Sequence, residues 1–417
     1  IYCSEGSPAG FDTPQYTSGT DFDASARTVY NGLVSFRRGS TEVIPELAEK
    51  WDISEDGLAY TFHLRRGVKF HTTRFFTPTR ELNADDVVYT FERMMSKEHP
   101  FRKAYPAEFP YFTDMGMDKN LKSVQKIDDY TVKFTLNEVD APFLQNMAMA
   151  FAVVFSKEYM EKLLSEGKPQ LLNQQPLGTG PFVFDRYQKD AQIRYKANKA
   201  YWDKEEGPLV DNLIFAITKD PTVRAQKLRS GECHIASHPL PADVERLKKE
   251  PNLKMLSGPG FNVGSIYYNT EKAPLQKPEV RMALDMAINK PAIIKAVYGG
   301  QGVLAEGPMP TTQWSYDDTL KGRPHDVEKA KALLKEAGYP DGFEMGLWSL
   351  PVARPYNPNG RLMAELIQAD WAKIGVKVSI STYEWGEYLR RAQKGEHDVI
   401  MAGWTGDNGD PDNWLGN

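Results

Sequence analysis

Apolar and polar residues alternate along several stretches of the chain, and the first clear example lies in residues 41–70. Neighbouring side chains of an extended chain point to opposite faces, so this pattern predicts two strands joined by a turn at Gly67. The apolar positions are Tyr60, Phe62 and Leu64 in the first predicted strand and Val68 and Phe70 in the second.

A helix is predicted to follow, over residues 85–93. Its apolar side chains recur at helical spacing at Val87, Val88 and Phe91. Asn83 is a candidate N-cap, and the acidic residues Asp85 and Asp86 suit the first turn of a helix.

Two later stretches alternate again and predict further strands. Residues 127–136 place apolar side chains on one face and polar ones on the other, which indicates a half-buried strand. Residues 177–198 predict two more strands, with Gly178 and Gly180 marking a sharp bend of the backbone before Phe182.

A change of character over residues 256–269, which are punctuated by glycine and proline, predicts a boundary between two lobes. Helical and strand patterns alternate beyond it, and this alternation predicts an α/β lobe with a mixed sheet. The predicted helices cover residues 280–288, 327–337 and 362–371, and a strand carries Val376, Val378 and Ile380.

Composition limits the class of protein. With 417 residues, of which 41% are hydrophobic and 12% aromatic, the chain can form two or three domains. The net charge of −5 comes from 51 basic and 56 acidic residues spread along the whole length, so nucleic acid is excluded as an expected partner. The longest uncharged apolar run, residues 143–155, is too short to span a bilayer, and we expect a soluble mature chain. The start at Ile1 neither supports nor excludes export.

The chain has two cysteines, Cys3 and Cys233. In an oxidising compartment they could form a long-range disulfide, whereas the alternative is two unpaired buried thiols. A lipid-anchored cysteine would normally be the first residue of the mature chain, and Cys3 is not.

Catalytic and metal-binding patterns are weak. The seven histidines lack the spacing of a zinc site, and the nearest candidate is Cys233, His234 and His238, which has no further ligand beside it. Neither a nucleophile elbow nor a phosphate loop is present. The acidic segment 406–413 does not follow calcium-loop spacing, so we interpret it as an acidic turn. We therefore expect no catalytic residue, no metal site and no cofactor.

Three segments rich in turn and aromatic residues are candidates for binding a ligand, namely Thr17–Thr20, Val352–Gly360 and Gly403–Asp410. In the second, Arg354 precedes a proline, which favours extended geometry and a stiff presentation of the guanidinium. In the third, Asp407 follows a glycine in a turn, where backbone can approach a ligand closely. A surface ion pair for Arg354 and an ordinary turn role for Asp407 are the alternatives.

Longer motifs are similar to those of the family 5 extracellular solute-binding proteins. The resemblance covers essentially the whole chain and is carried by residues 48–71, 82–93, 176–184, 192–198, 280–298, 328–338, 354–376, 382–398 and 403–414. It implies an α/β, two-lobed periplasmic-binding-protein fold, type II-like and of cluster C, with mixed sheets and an extra subdomain in the first lobe. The implied ranges are 1–32 and 179–257 for the first lobe core, 33–178 for the extra subdomain and 258–417 for the second lobe. Relatives continue beyond this C-terminus, so a truncated second lobe is expected.

The resemblance also implies a ligand site. Arg354 would bind a peptide carboxylate and Asp407 a peptide ammonium group, while Thr17 would contact the ligand from the first lobe. Further implied contacts come from Pro355, Tyr356, Trp404, Thr405 and Gly406. The early and central cysteines of such proteins are paired, which implies a disulfide between Cys3 and Cys233.

The implied function is that of a non-enzymatic periplasmic receptor that encloses dipeptides between two closing lobes and delivers them to an inner-membrane ABC permease complex. Glutathione, haem or another peptide-like compound is the alternative ligand. A peptidase would need a catalytic constellation, and a peptide-handling chaperone or adhesin would need an open apolar groove. A monomer is expected, with a chemotaxis receptor as a further candidate partner.

Overall fold

A computed structural model describes residues 1–415, which form two compact units. The first contains Ile1–Ile217 and the segment that begins at Asp407, and the second is Thr218–Gly406. The chain thus passes from one unit to the other after Ile217 and again after Gly406. The lobe and subdomain ranges implied by the resemblance remain predictions.

The first unit combines ten strands with eight short helices and two turns of 3₁₀ helix among the described residues. The strands are β1 (Tyr2–Ser4), β2 (Val34–Phe36), β3 (Val43–Pro45), β4 (Ala48–Ile53), β5 (Ala59–Leu64), β6 (Leu121–Asp128), β7 (Thr131–Leu136), β8 (Phe182–Gln188), β9 (Gln192–Ala197) and β10 (Asn212–Ile217). The helices are α1 (Gly19–Ala24), α2 (Ala84–Met95), α3 (Pro100–Ala104), α4 (Pro110–Asp114), α5 (Met117–Asn120), α6 (Phe143–Met147), α7 (Lys157–Ser165) and, near the end of the chain, α15 (Asp412–Leu415); the 3₁₀ turns are Thr13–Gln15 and Pro169–Asn173.

Two main sheets organise this unit. In one, β8, β9, β10 and β1 lie side by side in that order; β1 runs parallel to β10 and the other neighbours are antiparallel. The other sheet has the order β4-β5-β7-β6 and is antiparallel throughout, while β2 pairs with β3. The strands predicted in 127–136 and 177–198 are confirmed.

The predicted strand at Val68 and Phe70 is wrong. Both side chains are buried, but β5 pairs with β4 and β7 instead of with this segment. Gly67 has a φ of 77°, which ends the extended conformation. The backbone beyond Gly67 makes isolated hydrogen bonds to distant loops instead of a strand ladder. For example, the Val68 carbonyl accepts a hydrogen bond from the Leu82 amide at 2.9 Å.

Helix α2 begins as its sequence predicts. The Asn83 side chain accepts a hydrogen bond from the Asp85 amide at 3.0 Å, and Asp86 accepts one from the Asn83 amide at 3.0 Å, which forms a capping box. Near the other end of the helix, the fully buried Arg93 donates two hydrogen bonds to the Asp12 carboxylate. Because Asp12 directly precedes the 3₁₀ turn Thr13–Gln15, the ion pair holds the loop that leads to Thr17.

The bend predicted at Gly178 and Gly180 has a packing cause. Neither glycine has a positive φ, but a Cβ on Gly178 would lie 2.2 Å from the Val29 carbonyl oxygen, and one on Gly180 would lie 2.6 Å from the Val29 carbonyl carbon. The chain thus passes too close to Val29 for any side chain.

The second unit is α/β. Its strands are β11 (Ile235–Ala236), β12 (Asn262–Tyr268), β13 (Glu344–Trp348), β14 (Lys377–Ser381) and β15 (Val399–Thr405). Its helices are α8 (Pro221–Ser230), α9 (Pro241–Lys248), α10 (Pro278–Ala287), α11 (Lys290–Tyr298), α12 (Val327–Glu336), α13 (Gly360–Ala372) and α14 (Trp385–Gln393). Four strands form a sheet in the order β12-β15-β13-β14, in which β13 is parallel to β14 and β15 but β12 is antiparallel to β15. The mixed sheet and the helices predicted here are confirmed.

Cys3 and Cys233 are joined by a disulfide, so the pairing that the resemblance implies is confirmed and the free-thiol alternative is wrong. Oxidised Cys233 cannot supply a thiolate, so the weak candidate group of Cys233, His234 and His238 lacks one of its three ligands. No helix within residues 1–415 has the length and apolar character needed to cross a membrane.

Candidate functional site

Asp407 is the first residue of the chain to return to the first unit, and two neighbours fix it there. Tyr111 Oη, on α4, donates a hydrogen bond to Asp407 Oδ2 at 2.7 Å. The Asp407 amide donates to Asn413 Oδ1 at 2.8 Å, which closes the acidic segment into a turn. This confirms a local turn and places an oriented carboxylate at its start.

The Asp407 carboxyl group is surrounded by protein, although the residue as a whole is half-buried. Burial raises its pKa to about 7, and the side-chain interactions with Tyr111 and Asn413 and the charge of Arg27 only partly offset this effect. A cation bound beside such a carboxylate stabilises its ionised form, because the opposite charge compensates for the hydration that burial removes.

Tyr111 is held by aromatic packing. It is 2% exposed and stacks on Phe22 of α1 with ring centroids 5.9 Å apart. Half-buried Thr17 lies two residues before that helix, so the first predicted ligand segment joins the Asp407 region through α1 and Tyr111.

The rest of the acidic segment also packs on the first unit. Asn408, which is 1% exposed, donates from Nδ2 to Asn146 Oδ1 at 2.7 Å. A Cβ on Gly409 would lie 2.6 Å from Thr41, and its φ of 77° favours glycine as well. These contacts leave little freedom for the backbone at Asp407.

Arg354 lies in the second unit at the start of a tight turn. Its amide donates to the Asn357 carbonyl and its carbonyl accepts from the Asn357 amide, both at 3.0 Å, with Pro355 and Tyr356 between them. Proline is favoured at the second position of such turns, which makes the segment stiff. The extended geometry predicted for Arg354 agrees with this ladder pairing.

The Arg354 guanidinium lies over an aromatic ring. Its Cζ atom is 4.3 Å from the centre of the Trp385 ring, at the start of α14, and the residue is 7% exposed. A guanidinium stacked on an indole face directs its N–H groups along the plane of the ring, which is the geometry in which arginine pairs with a carboxylate. The side chain thus lies mostly inside the second unit and not on its exposed surface.

The remaining predicted contacts lie at the end of β15. Trp404 pairs with Val263 and Thr405 with Asn262 of β12, and the amide of Gly406 donates to the Phe261 carbonyl at 2.8 Å. Exposed Thr405 and half-buried Trp404 therefore sit on a strand with a fixed register.

The structure thus groups the predicted residues in two sets. Thr17 and Asp407 belong to the first unit, whereas Arg354, Pro355, Tyr356, Trp404, Thr405 and Gly406 belong to the second. A cavity of about 530 Å³ lies elsewhere in the first unit, where its lining includes Lys69, Val183 and Asn212 and none of the predicted site residues.

Sequence reasoning missed the neighbours that hold the two charges, namely Tyr111 and Trp385. Both occur in aromatic segments, but nothing in their local spacing distinguishes them from core residues. Only the contacts of the folded chain reveal their roles.

Comparisons with known proteins identify the family of the chain. Residues 42–417 match the family model described as bacterial extracellular solute-binding proteins, family 5 Middle. The chain is 64% identical over 416 residues to di/tripeptide-binding protein 1 of Pseudomonas aeruginosa (strain UCBPP-PA14), covering 100% of this chain and 77% of the relative. It is 50% identical over 415 residues to heme-binding protein A of Haemophilus influenzae, covering 100% of this chain and 76% of that one.

A solved structure is similar as well. The dipeptide-binding protein of Pseudoalteromonas sp. SM9913, in complex with Met-Leu, superposes on this chain with a TM-score of 0.95 at 40% sequence identity. The match covers 100% of this chain and 82% of that structure's chain. The chain belongs to the bacterial extracellular solute-binding proteins of family 5. It is therefore a member of a family of solute receptors with a mixed α/β fold.

Proposed function

We propose that this protein is a receptor for dipeptides that serves an ABC importer. The observation that carries the proposal is that each unit presents one charge of opposite sign in an oriented, largely buried setting: Asp407 held by Tyr111, and Arg354 on Trp385. The similarity to a di/tripeptide-binding protein and to a Met-Leu complex supports the same ligand class.

The chemistry of a dipeptide suits these two groups. A zwitterionic peptide carries an ammonium group at one end and a carboxylate at the other, and each residue spans at most about 3.6 Å of chain. Asp407 pairs with the ammonium group and Arg354 with the carboxylate, so binding both ends selects for length. The peptide backbone can be bound without reading side chains, which allows many sequences.

Delivery follows from the same receptor role. We infer that the protein works as a monomer in the periplasm, encloses its ligand between two closing lobes and presents the loaded form to an inner-membrane permease. Closure is favoured by contacts that the ligand makes only in the closed form. The receptor performs no chemistry on the peptide, and a chemotaxis receptor is a further candidate partner.

A second candidate ligand is haem, or glutathione as a peptide-like compound. The 50% identity to a heme-binding protein favours keeping this candidate. Such a ligand would not need a free ammonium group and a free carboxylate at dipeptide spacing.

Calorimetric titration with Gly-Leu, N-acetyl-Gly-Leu and Gly-Leu-amide, alongside glutathione and haem, tests the proposal. We expect tight binding of the free dipeptide alone. Asp407→Asn and Arg354→Ala should each weaken it by more than about 2 kcal/mol, because each leaves a ligand charge unpaired. Exposed Asp317→Asn and Arg361→Ala are matched controls and should bind normally. Wild-type affinity in both site variants, or a response to haem alone, would reject the dipeptide assignment.

A further inference from the structure

A pair of facing glycines lies under the turn that carries Arg354. Gly264 of β12 and Gly403 of β15 are direct cross-strand partners. Neither has a positive φ, so their backbone would accept any residue. The need for glycine at these positions must come from the atoms that crowd them.

Tyr356 occupies that space. A Cβ on Gly264 would lie 2.3 Å from the Tyr356 carbonyl oxygen, and a Cβ on Gly403 would lie 2.4 Å from Cδ2 of the Tyr356 ring. Side chains cannot approach this closely without a shift of the neighbour. The two glycines thus form a side-chain-free floor on which both the backbone and the ring of Tyr356 rest.

The position of Tyr356 is fixed from a second direction. Tyr298, the last residue of α11, donates a hydrogen bond from Oη to the Tyr356 carbonyl at 2.7 Å. Tyr356 is one of the two central residues of the turn that begins at Arg354. A displaced Tyr356 carbonyl would therefore change the direction in which Arg354 leaves the turn.

Strand β15 also supports the ring beneath the guanidinium. Tyr388 of α14 donates from Oη to the Met401 carbonyl at 2.7 Å and stacks on Trp385 at 5.8 Å. The strand that supplies Gly403 therefore supports Arg354 in two ways, its turn through Tyr356 and its guanidinium through Tyr388 and Trp385.

We propose that Gly264 and Gly403 are positioning residues that set the place of the Arg354 guanidinium and thereby make binding selective for a free peptide carboxylate. This inference rests on the proposed function and adds a structural reason for one part of its selectivity, the recognition of the peptide carboxylate. The glycines act on the carboxylate end alone, since Asp407 is held by different residues.

Gly264→Ala tests this directly, because its only contact under 3.0 Å is the Tyr356 carbonyl oxygen. We expect the preference for Gly-Leu over Gly-Leu-amide to fall about ten- to hundred-fold, the range for loss of a hydrogen bond to a charged group. The preference over N-acetyl-Gly-Leu should persist. Gly346→Ala is the matched control, a strand glycine of the same sheet whose added Cβ meets its nearest neighbour at an ordinary 3.4 Å.

The outcomes separate the two proposals. If the wild type shows no preference for the free carboxylate, the proposed function fails. If the wild type shows it and folded Gly264→Ala keeps it, or loses affinity equally for all three ligands, only the positioning role is overturned. Should Gly264→Ala not fold, Tyr298→Phe removes the hydroxyl that holds the same carbonyl and should lower the same ratio several-fold; an unchanged ratio would overturn the inference.

A double-mutant cycle gives a sharper check. The Cβ added by Gly403→Ala meets the Tyr356 ring, so adding Tyr356→Ala should restore much of the preference for Gly-Leu over Gly-Leu-amide that Gly403→Ala removes. The Val263 carbonyl oxygen, which would lie 2.6 Å from the same Cβ, keeps this recovery partial. The Cβ added by Gly264→Ala meets a backbone oxygen that every residue has, so Tyr356→Ala should not restore the preference that Gly264→Ala removes. Equal coupling of both glycines to the Tyr356 ring would contradict the floor geometry.

Discussion

Dipeptide affinity should depend on pH through Asp407. Burial raises the pKa of this carboxyl group in the ligand-free protein to about 7, while an ammonium ligand requires its ionised form. Below that pKa the protein must release a proton in order to bind. The termini of the ligand keep their charges between about pH 5 and pH 7, so this proton comes from the protein.

The magnitude follows from the titration. At about pH 5 only about 1% of a group with a pKa near 7 is ionised, against about half at pH 7, so the binding constant at pH 5 should be about 50-fold lower than at pH 7, or about 2.3 kcal/mol. Calorimetry with Gly-Leu at pH 5, 6, 7 and 8, in buffers of different ionisation enthalpy, measures both the slope and the proton released.

Two other carboxyl groups titrate in the same window, so assignment needs variants. Burial raises the pKa of Glu46 to about 7 and that of Asp140 to about 6. Glu46→Gln and Asp140→Asn should keep the slope, whereas Asp407→Asn should bind weakly with a flat profile. A wild-type affinity that is constant from pH 5 to pH 8, or a slope that survives in Asp407→Asn, would refute the reasoning.

Three further outcomes are expected. Without ligand, Asp407→Asn should raise the melting temperature at pH 8 and change it little at pH 4; the folded pKa is raised, so the contribution of the carboxyl group to stability is present at low pH and lost as the pH rises through about 7. Replacing Cys3 and Cys233 by serine should lower the free energy of unfolding in urea by roughly 4–5 kcal/mol, because the disulfide closes a very long loop; an unchanged midpoint would contradict this. Arg93→Met should cost about 3–5 kcal/mol by leaving Asp12 buried without its partner, and adding Asp12→Leu should recover part of that loss in the same denaturation assay.

Local signals predicted local structure well. The cap at Asn83 and the alternation in residues 131–136 depend on neighbours within a few positions, and both are confirmed. The strand predicted at Val68 and Phe70 failed because alternation reports burial but does not supply a partner strand, and β5 takes β4 and β7 instead.

The charged residues of the proposed site were predicted from the sequence, but the residues that hold them were not. Tyr111 is 296 positions from Asp407, and Trp385 reaches Arg354 only because α14 packs against β15. Gly264 and Gly403 carry no sequence signature, since their φ values are ordinary and the need for glycine arises from atoms of the distant residue Tyr356, its carbonyl oxygen at Gly264 and its ring at Gly403. Contacts between distant positions of this kind come from tertiary packing, which periodicity does not encode.

The place of β15 in its sheet bears on how such receptors change their ligands during evolution. This strand is paired along its length with β12 and at its start with β13, so sliding it by one residue would break two ladders and move every side chain to the other face. An inserted or deleted residue in β15 would disrupt this register, whereas single substitutions around the strand would alter one contact at a time. New ligand preferences should therefore arise by substitution at the surrounding turns and helix ends, while the register of β15 stays unchanged.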